Sequence, residues 1–185
     1  MFGVLGLQGD YAAHAAMLEK AGAASRIVKK PEQLEGLQGL VLPGGESTTL
    51  IKLMDLYDFW EPLRAFAAAG GAFLGTCAGM ILLAQKVSNP EQRSLGLLDI
   101  DVERNSYGRQ VDSFEGHGAF DGAEIPMIFI RAPRITRLGP DTEPLGHCGG
   151  DTVAVRQGKV MVASFHPELT DDLSLHRYFL SMASA

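Results

Sequence analysis

Short apolar runs alternate with longer amphipathic stretches through the first half of the chain. Phe2 to Leu7, Ala24 to Val28, Gly39 to Leu42 and Ala72 to Leu74 are apolar runs closed by polar residues, proline or glycine. Runs of this length and setting predict buried strands. Between them, Tyr11 to Ala21 predicts a helix that Asp10 can cap and Gly22 ends. Ser47 or Thr48 opens a second helix carrying Leu50, Ile51, Leu53, Met54 and Leu56, and Asp58 to Ala69 supplies a third. Met80 to Ala84, without Pro or Gly, suits a buried helix. Strands and helices in this order predict an α/β domain with a parallel sheet, whose ligands bind at the carboxyl ends of the strands. Three loops meet there: Gln8-Gly9-Asp10, Gly44-Gly45-Glu46-Ser47 and the turn at Cys77.

The pattern then changes. Ser88 to Ser94 is polar, contains Pro90 and reads as an exposed loop. Leu98 to Glu103, Gln110 to Phe114, Met127 to Ile130, Thr152 to Val155 and Lys159 to Ala163 are short alternating segments with Gly and Pro between them. They predict antiparallel strands or hairpins added to the parallel core. Asp171 or Asp172 can cap a closing helix through Leu180. No composition break, repeat or low-complexity tract divides residues 1–185, so a single domain is expected.

Composition narrows the class. The chain has 185 residues, 46% hydrophobic and 21% charged, with a net charge of −6. An acidic chain of this kind argues against a general nucleic-acid or anionic-membrane binder. Its two cysteines, Cys77 and Cys148, make neither a disulfide framework nor a multi-cysteine zinc pattern, which suits a reducing, cytoplasmic compartment. No apolar run reaches membrane-spanning length, and the N-terminus lacks the basic region of a signal peptide.

Candidate chemistry centres on Gly75-Thr-Cys77-Ala-Gly79. Placed between a strand and a helix, this has the form of a nucleophile elbow with sulfur at the nucleophile position. The flanking glycines permit a sharp turn, and unpaired N–H groups at a helix start favour thiolate over thiol. The Ala78 amide would face a developing oxyanion. The plain alternative is that Cys77 is a small buried hydrophobe. A base must therefore come from elsewhere. Val160 to Phe165 is a strand running into His166-Pro167-Glu168. In extended chain His166 and Glu168 lie on one side, so the carboxylate can reach the imidazole. Cys77 as nucleophile, His166 as base and Glu168 as orienter would form a triad.

These residues resemble class I (triad) glutamine amidotransferases. More narrowly, the chain is similar to the family of glutaminase subunits of pyridoxal 5′-phosphate synthase, the PdxT family. The carrying stretches are Leu7 to Asp10, Leu42 to Thr49, Gly75 to Met80, Arg104-Asn105, Gly108 to Phe114, Phe129 to Pro133 and Ser164 to Thr170. The match is weakest over Gly118 to Pro126 and Asp141 to Gly150. The resemblance implies a flavodoxin-like, three-layer α/β fold with a mostly parallel central sheet. It implies hydrolysis of L-glutamine through a thioester on Cys77, with no cofactor and no metal. Ammonia would pass to a barrel-fold synthase subunit of the PdxS family in a hetero-oligomer. That subunit would make pyridoxal 5′-phosphate from ribose 5-phosphate and glyceraldehyde 3-phosphate.

Carried over by position, Gly45 and Ala78 would supply oxyanion amides, and Gly45, Glu46, Ser47, Arg104, Ile130 and Arg131 would line the glutamine pocket. An arginine can grip the α-carboxylate with two N–H groups, and Glu46 or carbonyls near Ile130 can accept from the α-ammonium. Gln8 and the Gly9-Asp10 turn would contact the partner or shape the oxyanion loop. His14 is expected to pack or to face the partner. His117, His147 and His176 have no acid or cysteine at a convincing spacing, and His147-Cys148 alone makes no metal site. Met17, Met54, Met80 and Met161 read as core. Gly3-Val-Leu-Gly6 fits neither a P-loop nor a dinucleotide fingerprint. Two other readings stay open: the glutaminase of another amidotransferase, such as imidazole glycerol phosphate synthase, or a γ-glutamyl peptidase-like hydrolase; and a non-catalytic partner-binding subunit.

Overall fold

The computed structural model describes residues 1–104 and 113–184. The first half folds as β1 (Phe2–Leu5), α1 (Tyr11–Lys20), β2 (Ser25–Val28), β3 (Gly39–Leu42), α2 (Ser47–Leu56), α3 (Trp60–Ala68), β4 (Ala72–Thr76) and α4 (Ala78–Leu83). The second half follows as β5 (Ala84–Ser88), β6 (Leu98–Glu103), β7 (Ser113–Phe120), β8 (Ala123–Ile130), β9 (Arg134–Leu138), β10 (Glu143–Cys148), β11 (Asp151–Gln157), β12 (Val160–Ala163) and α5 (Ser174–Ser184).

A nine-stranded sheet runs in the order β2-β1-β3-β4-β12-β11-β10-β7-β8. From β2 to β12 neighbouring strands are parallel, and from β12 to β8 they are antiparallel. This is the expected parallel core with antiparallel strands added by the second half. The first five positions have the flavodoxin-like order, which reverses between β1 and β3. Strands β1, β3 and β4 are buried along their whole length, as parallel strands covered on both faces must be.

Successive side chains feed two apolar clusters. Leu40, Leu42, Phe73 and Val162 join residues of α2, α3 and α4 on one face. Val41, Leu74, Met161 and Ala163 join Leu18 of α1 with Leu175 and Phe179 of α5 on the other. That alternation gives three layers, and it brings α1 and α5 together behind β4. Met17, Met54, Met80 and Met161 are all buried core residues.

Several local expectations change. The apolar run after Cys77 stays helical only to Leu83; Ala84 turns extended and begins β5. Strands β5, β6 and β9 form a separate three-stranded sheet covering the α4 side. β9 and most of β10 face outward and have no apolar alternation to announce them. Asp10 precedes α1 without a capping side-chain bond, whereas Asp172 accepts from the Ser174 N–H at 2.9 Å and starts α5, which continues past Leu180. The strand expected over Gln110 to Phe114 begins at Ser113; its earlier residues, like Asn105 and Gly108 to Asp112, lie outside the described residues. Among the described residues no helix is long and apolar enough to cross a membrane.

Candidate active site

Four loops leave the carboxyl ends of β1, β3, β4 and β12 and converge around Cys77. The turn at Cys77 is strained: its φ of 48° and ψ of −102° lie where residues with a Cβ rarely go. The positive φ therefore falls on the cysteine itself and not on its flanking glycines. Gly79 matters for a different reason, since a Cβ there would overlap the Leu42 carbonyl and push α4 off β3. The result is a sulfur presented at the head of the helix, 7% exposed, with Sγ 3.8 Å from the Ile130 carbonyl.

His166 enters from the loop after β12. Its N–H bonds to the Ile128 carbonyl at 2.8 Å, which fixes the backbone against β8. The imidazole lies against Gly44, where a Cβ would come within 2.5 Å of the ring and 3.4 Å of the Cys77 Cβ. Gly44 thus marks the point where the Cys77 and His166 side chains crowd together. Nδ1 of His166 is 2.8 Å from Oε1 of Glu168. The intervening chain is not extended, as the sequence suggested. Pro167–Leu169 is a 3-10 turn, and the turn brings Glu168 back under the ring. Nε2, the nitrogen left over, has no hydrogen-bond partner among the described residues. Burial works against charge on His166, but Cys77 and Glu168 outweigh it and raise the pKa to about 10. Burial likewise opposes charge on Glu168, and the facing His14 and His166 lower its pKa below the ordinary value all the same.

Cys77 and His166 open onto a cleft of about 160 Å³. Gly45, Glu46, Ser47, Arg104, Ile130 and Arg131 line it with them, together with Asp10, Ile81 and Pro133. Ala78 does not line it; its side chain is buried at the start of α4. Glu46 does two things at once. It caps α2 through the Thr48 N–H and hydroxyl, at 3.3 and 2.9 Å, and stands 3.6 Å from the Arg104 guanidinium. Burial opposes its charge, but the Thr48 bonds and the Arg104 and Arg131 cations prevail and lower its pKa. Arg131 has a φ of 42°, a second strained position on the cleft wall. Gln8 accepts from the Glu46 N–H at 2.9 Å and so ties the first loop to the second, and Ser47 donates to Gln92 at 3.0 Å. Donor atoms of Asp10, His166 and Glu168 come within 4.8 Å of one another. His166 and Glu168 already bond each other, which draws two of these three atoms together, and Asp10 is exposed.

Two histidines set aside on sequence grounds lie directly behind the triad. His14 and His176 are both fully buried. Nε2 of His14 is 3.3 Å from Oε2 of Glu168 and 3.0 Å from Oγ1 of Thr76, and its Nδ1 is 3.0 Å from Nε2 of His176. Of its two expected placements His14 takes the packed one, facing the interior with an acid beside it. No spacing could show this, because the contact depends on α1 and α5 packing together across 162 residues. His117 and His147 stay apart from the cleft, on β7 and β10.

Known proteins bear on this arrangement. The model of the SNO glutamine amidotransferase family matches residues 4–185. A pyridoxal 5′-phosphate synthase subunit PdxT from Geobacillus sp. (strain WCH70) is 53% identical over 182 residues, covering 97% of this chain and 95% of that one. The subunit of the same name from Deinococcus radiodurans is 53% identical over 188 residues, covering 98% and 96%. Among solved structures, one described as a glutamine amidotransferase superposes with a TM-score of 0.94 at 48% identity, over 100% of this chain and 99% of its own.

Proposed function

The chain belongs to the SNO glutamine amidotransferase family, and on that premise we propose that it is the glutaminase subunit of a pyridoxal 5′-phosphate synthase, with Cys77, His166 and Glu168 as its triad. The observation that carries the triad is the pairing of Cys77, on its strained turn, with a Glu168-bonded His166 across one cleft. With the other glutaminases weighed at the sequence level, full-length identity near one half favours this subunit over them.

The geometry supports the following chemistry. The Cys77 sulfur attacks the carboxamide carbon of L-glutamine, and the carbonyl oxygen takes the electron pair. Backbone amides of Gly45 and Ala78 receive that oxyanion; such donors are each worth on the order of 10²–10³ in rate. Because His166 holds its proton up to about pH 10, it can hand that proton to the departing nitrogen. The C–N bond breaks, ammonia leaves, and a glutamyl thioester remains on Cys77. Neutral His166 then takes a proton from water, whose oxygen attacks the thioester and releases glutamate. Glu168 keeps the ring in register throughout. Arg104 and Arg131 receive the α-carboxylate, and Glu46 with the Ile130 carbonyl receives the α-ammonium. Ser47 completes the pocket wall.

The released ammonia passes to a barrel-fold synthase subunit of the PdxS family in a hetero-oligomer. Gln8, clamped to the Glu46 amide, sets the Gly44-Gly45 loop and makes turnover respond to docking of that partner. Residues 1–185 act as one domain, a reading supported by strands from both halves sharing the nine-stranded sheet. Two unpaired cysteines support a reducing, cytoplasmic setting. The test is ammonia release from glutamine by the chain with and without the synthase subunit. Cys77→Ala should lower the rate by about 10⁵ or more. Release at the parental rate would exclude Cys77 as nucleophile.

A further inference from the structure

We propose that His14 is a positioning residue of this reaction: it sets its Nε2–H, bonded to Thr76, beside the Glu168 oxygen that His166 leaves free, and His176 locks it in the tautomer able to do so. The inference rests on the glutaminase reading above, because Glu168 matters to turnover only through His166.

The two oxygens of Glu168 face opposite ways. Oε1 meets His166 Nδ1 at 2.8 Å on the cleft side, and Oε2 meets His14 Nε2 at 3.3 Å on the core side. The second contact is fully screened from water, with 0% exposure of both the His14 and the Glu168 side chains. A carboxylate held by one oxygen alone can swing about its last bond. One held by both cannot, and the imidazole it orients is held with it.

Whether His14 can donate depends on where its proton sits, and three contacts decide that. The 3.0 Å approach of His14 Nδ1 to His176 Nε2 holds a single proton between two neutral rings. Suppose it belonged to His14. Nε2 of His14 would then present a lone pair to the Glu168 carboxylate, and His176 would carry its proton on Nδ1. That Nδ1 is buried and has no partner among the described residues, so the structure would contain an orphaned buried N–H. Placing the proton on His176 Nε2 removes both faults. His14 then accepts at Nδ1, its Nε2–H bonds Thr76 Oγ1 at 3.0 Å and lies 3.3 Å from Glu168 Oε2, a charge contact short of hydrogen-bond geometry, and the lone pair of His176 Nδ1 goes unused. Unused acceptors are the cheaper defect. Both ends of the chain select one direction, from His176 through His14 to Glu168.

Burial also keeps the two rings neutral. It lowers the pKa of His14 despite the facing carboxylate, and lowers that of His176 to about 3. The pair thus serves as a neutral strut that adds a donor without adding a charge.

Nitrogen-15 histidine spectra of the parent chain, free in solution at neutral pH, should show His14 and His176 both neutral with the proton on Nε2. A Nδ1–H tautomer or a cationic ring at His14 would overturn the proposal. This reading needs no variant to fold and no substrate to turn over, so it stands apart from the glutaminase assignment. With the synthase subunit present, His14→Leu should lower kcat about 10–100-fold, the range for removing a group that orients a functional side chain, with KM within about twofold. His14→Gln, which keeps an N–H near that point, should recover most of the loss. In a Glu168→Gln background the cost of His14→Leu should vanish. Equal cost in both backgrounds, or no rescue by glutamine, would reduce His14 to packing. Absence of ammonia release by the parent complex would instead sink the glutaminase reading and leave the tautomer result to decide the geometry.

Discussion

Glu168 separates two histidine environments that are both nearly dry and that shift the imidazole pKa in opposite directions. On the cleft side His166 is 4% exposed and its pKa rises to about 10; on the core side His176 is 0% exposed and falls to about 3. Burial penalises the cation in both places. The neighbours differ. His166 faces Cys77 and the nearer oxygen of Glu168, while His176 faces mainly His14, itself a base. His14 touches the carboxylate too, but at 3.3 Å and with His166 opposing its charge. The lesson is that excluding water biases both rings toward neutrality; at His166 Cys77 and Glu168 overturn that bias, and at His176 nothing does.

The most forceful way to break the contrast is to remove the charge that creates it. Glu168→Gln takes the anion from both sides while keeping the shape. Burial then acts on His166 with only Cys77 against it, so its pKa should fall and kcat should drop roughly 10³–10⁴-fold, as when an orienting carboxylate becomes an amide. Histidine titration and steady-state ammonia release measure the two effects. An unmoved His166 pKa would show that Cys77 alone sustains the cation.

A smaller effect separates the sides by kind. On the proposed reading the cleft side touches substrate and the core side does not. Arg104→Ala removes a cation whose hydrogen bond to a carboxylate is worth about 1.5–3 kcal/mol, so KM for glutamine should rise about 10–100-fold with kcat little changed. Arg104→Lys should restore only part, since an ammonium lacks the planar fork. Substitutions at His14, by contrast, should appear in kcat. An Arg104→Ala chain with parental KM would move the α-carboxylate to Arg131.

The same contrast predicts opposite limbs in a stability profile. An unfolded histidine titrates near 6.5. Folded His166 keeps its proton to about 10, so its contribution is complete below 6.5 and is lost as pH rises through 10. His176 runs the other way. Its folded value of about 3 means that, between 6.5 and 3, the unfolded chain takes a proton the folded chain refuses, and stability falls as pH falls. Glu168, lowered from 4.5, adds a further loss at the acid end. The melting midpoint should therefore peak near neutral pH, with each single proton limited to about 1.4 kcal/mol per pH unit. His176→Phe should flatten the acid limb and leave the alkaline one. A flat profile from pH 4 to 10 would refute the assignment of both histidines.

How much of this the chain displayed in advance follows from distance along it. The elbow was legible because strand, turn, cysteine and helix occupy one window from Ala72 to Leu83. His166 and Glu168 were legible as neighbours, although the chain joins them by a 3-10 turn and not by extension. What stayed hidden was non-local. Thr76, His14 and His176 meet only because β4, α1 and α5 pack together, and each alone looks like an ordinary polar residue. β5 was hidden for another reason: Ala84 closes the apolar helical run from Met80, Gln85 and Lys86 follow it without a proline or glycine, and only pairing with β6 makes Ala84 to Ser88 a strand. The positive φ of Arg131 likewise has no local signature.

The two cysteines repeat the contrast at the smallest scale. Cys148 is the more accessible of the pair, half-buried on β10 with its sulfur 3.7 Å from the His117 carbonyl. Burial and the nearby Asp151 push its pKa up, so it stays a thiol at neutral pH. Cys77 is the less accessible one but faces a cationic imidazole. If neighbours govern reactivity, iodoacetamide at pH 7 should label Cys77 at least about tenfold faster than Cys148, and glutamine should protect it. Cys148→Ser should change kcat by no more than about twofold, the usual scale for a surface position clear of a site. Preferential labelling of Cys148 would mean that access outweighs electrostatics here, and would remove the reason for treating His166 as the source of the difference.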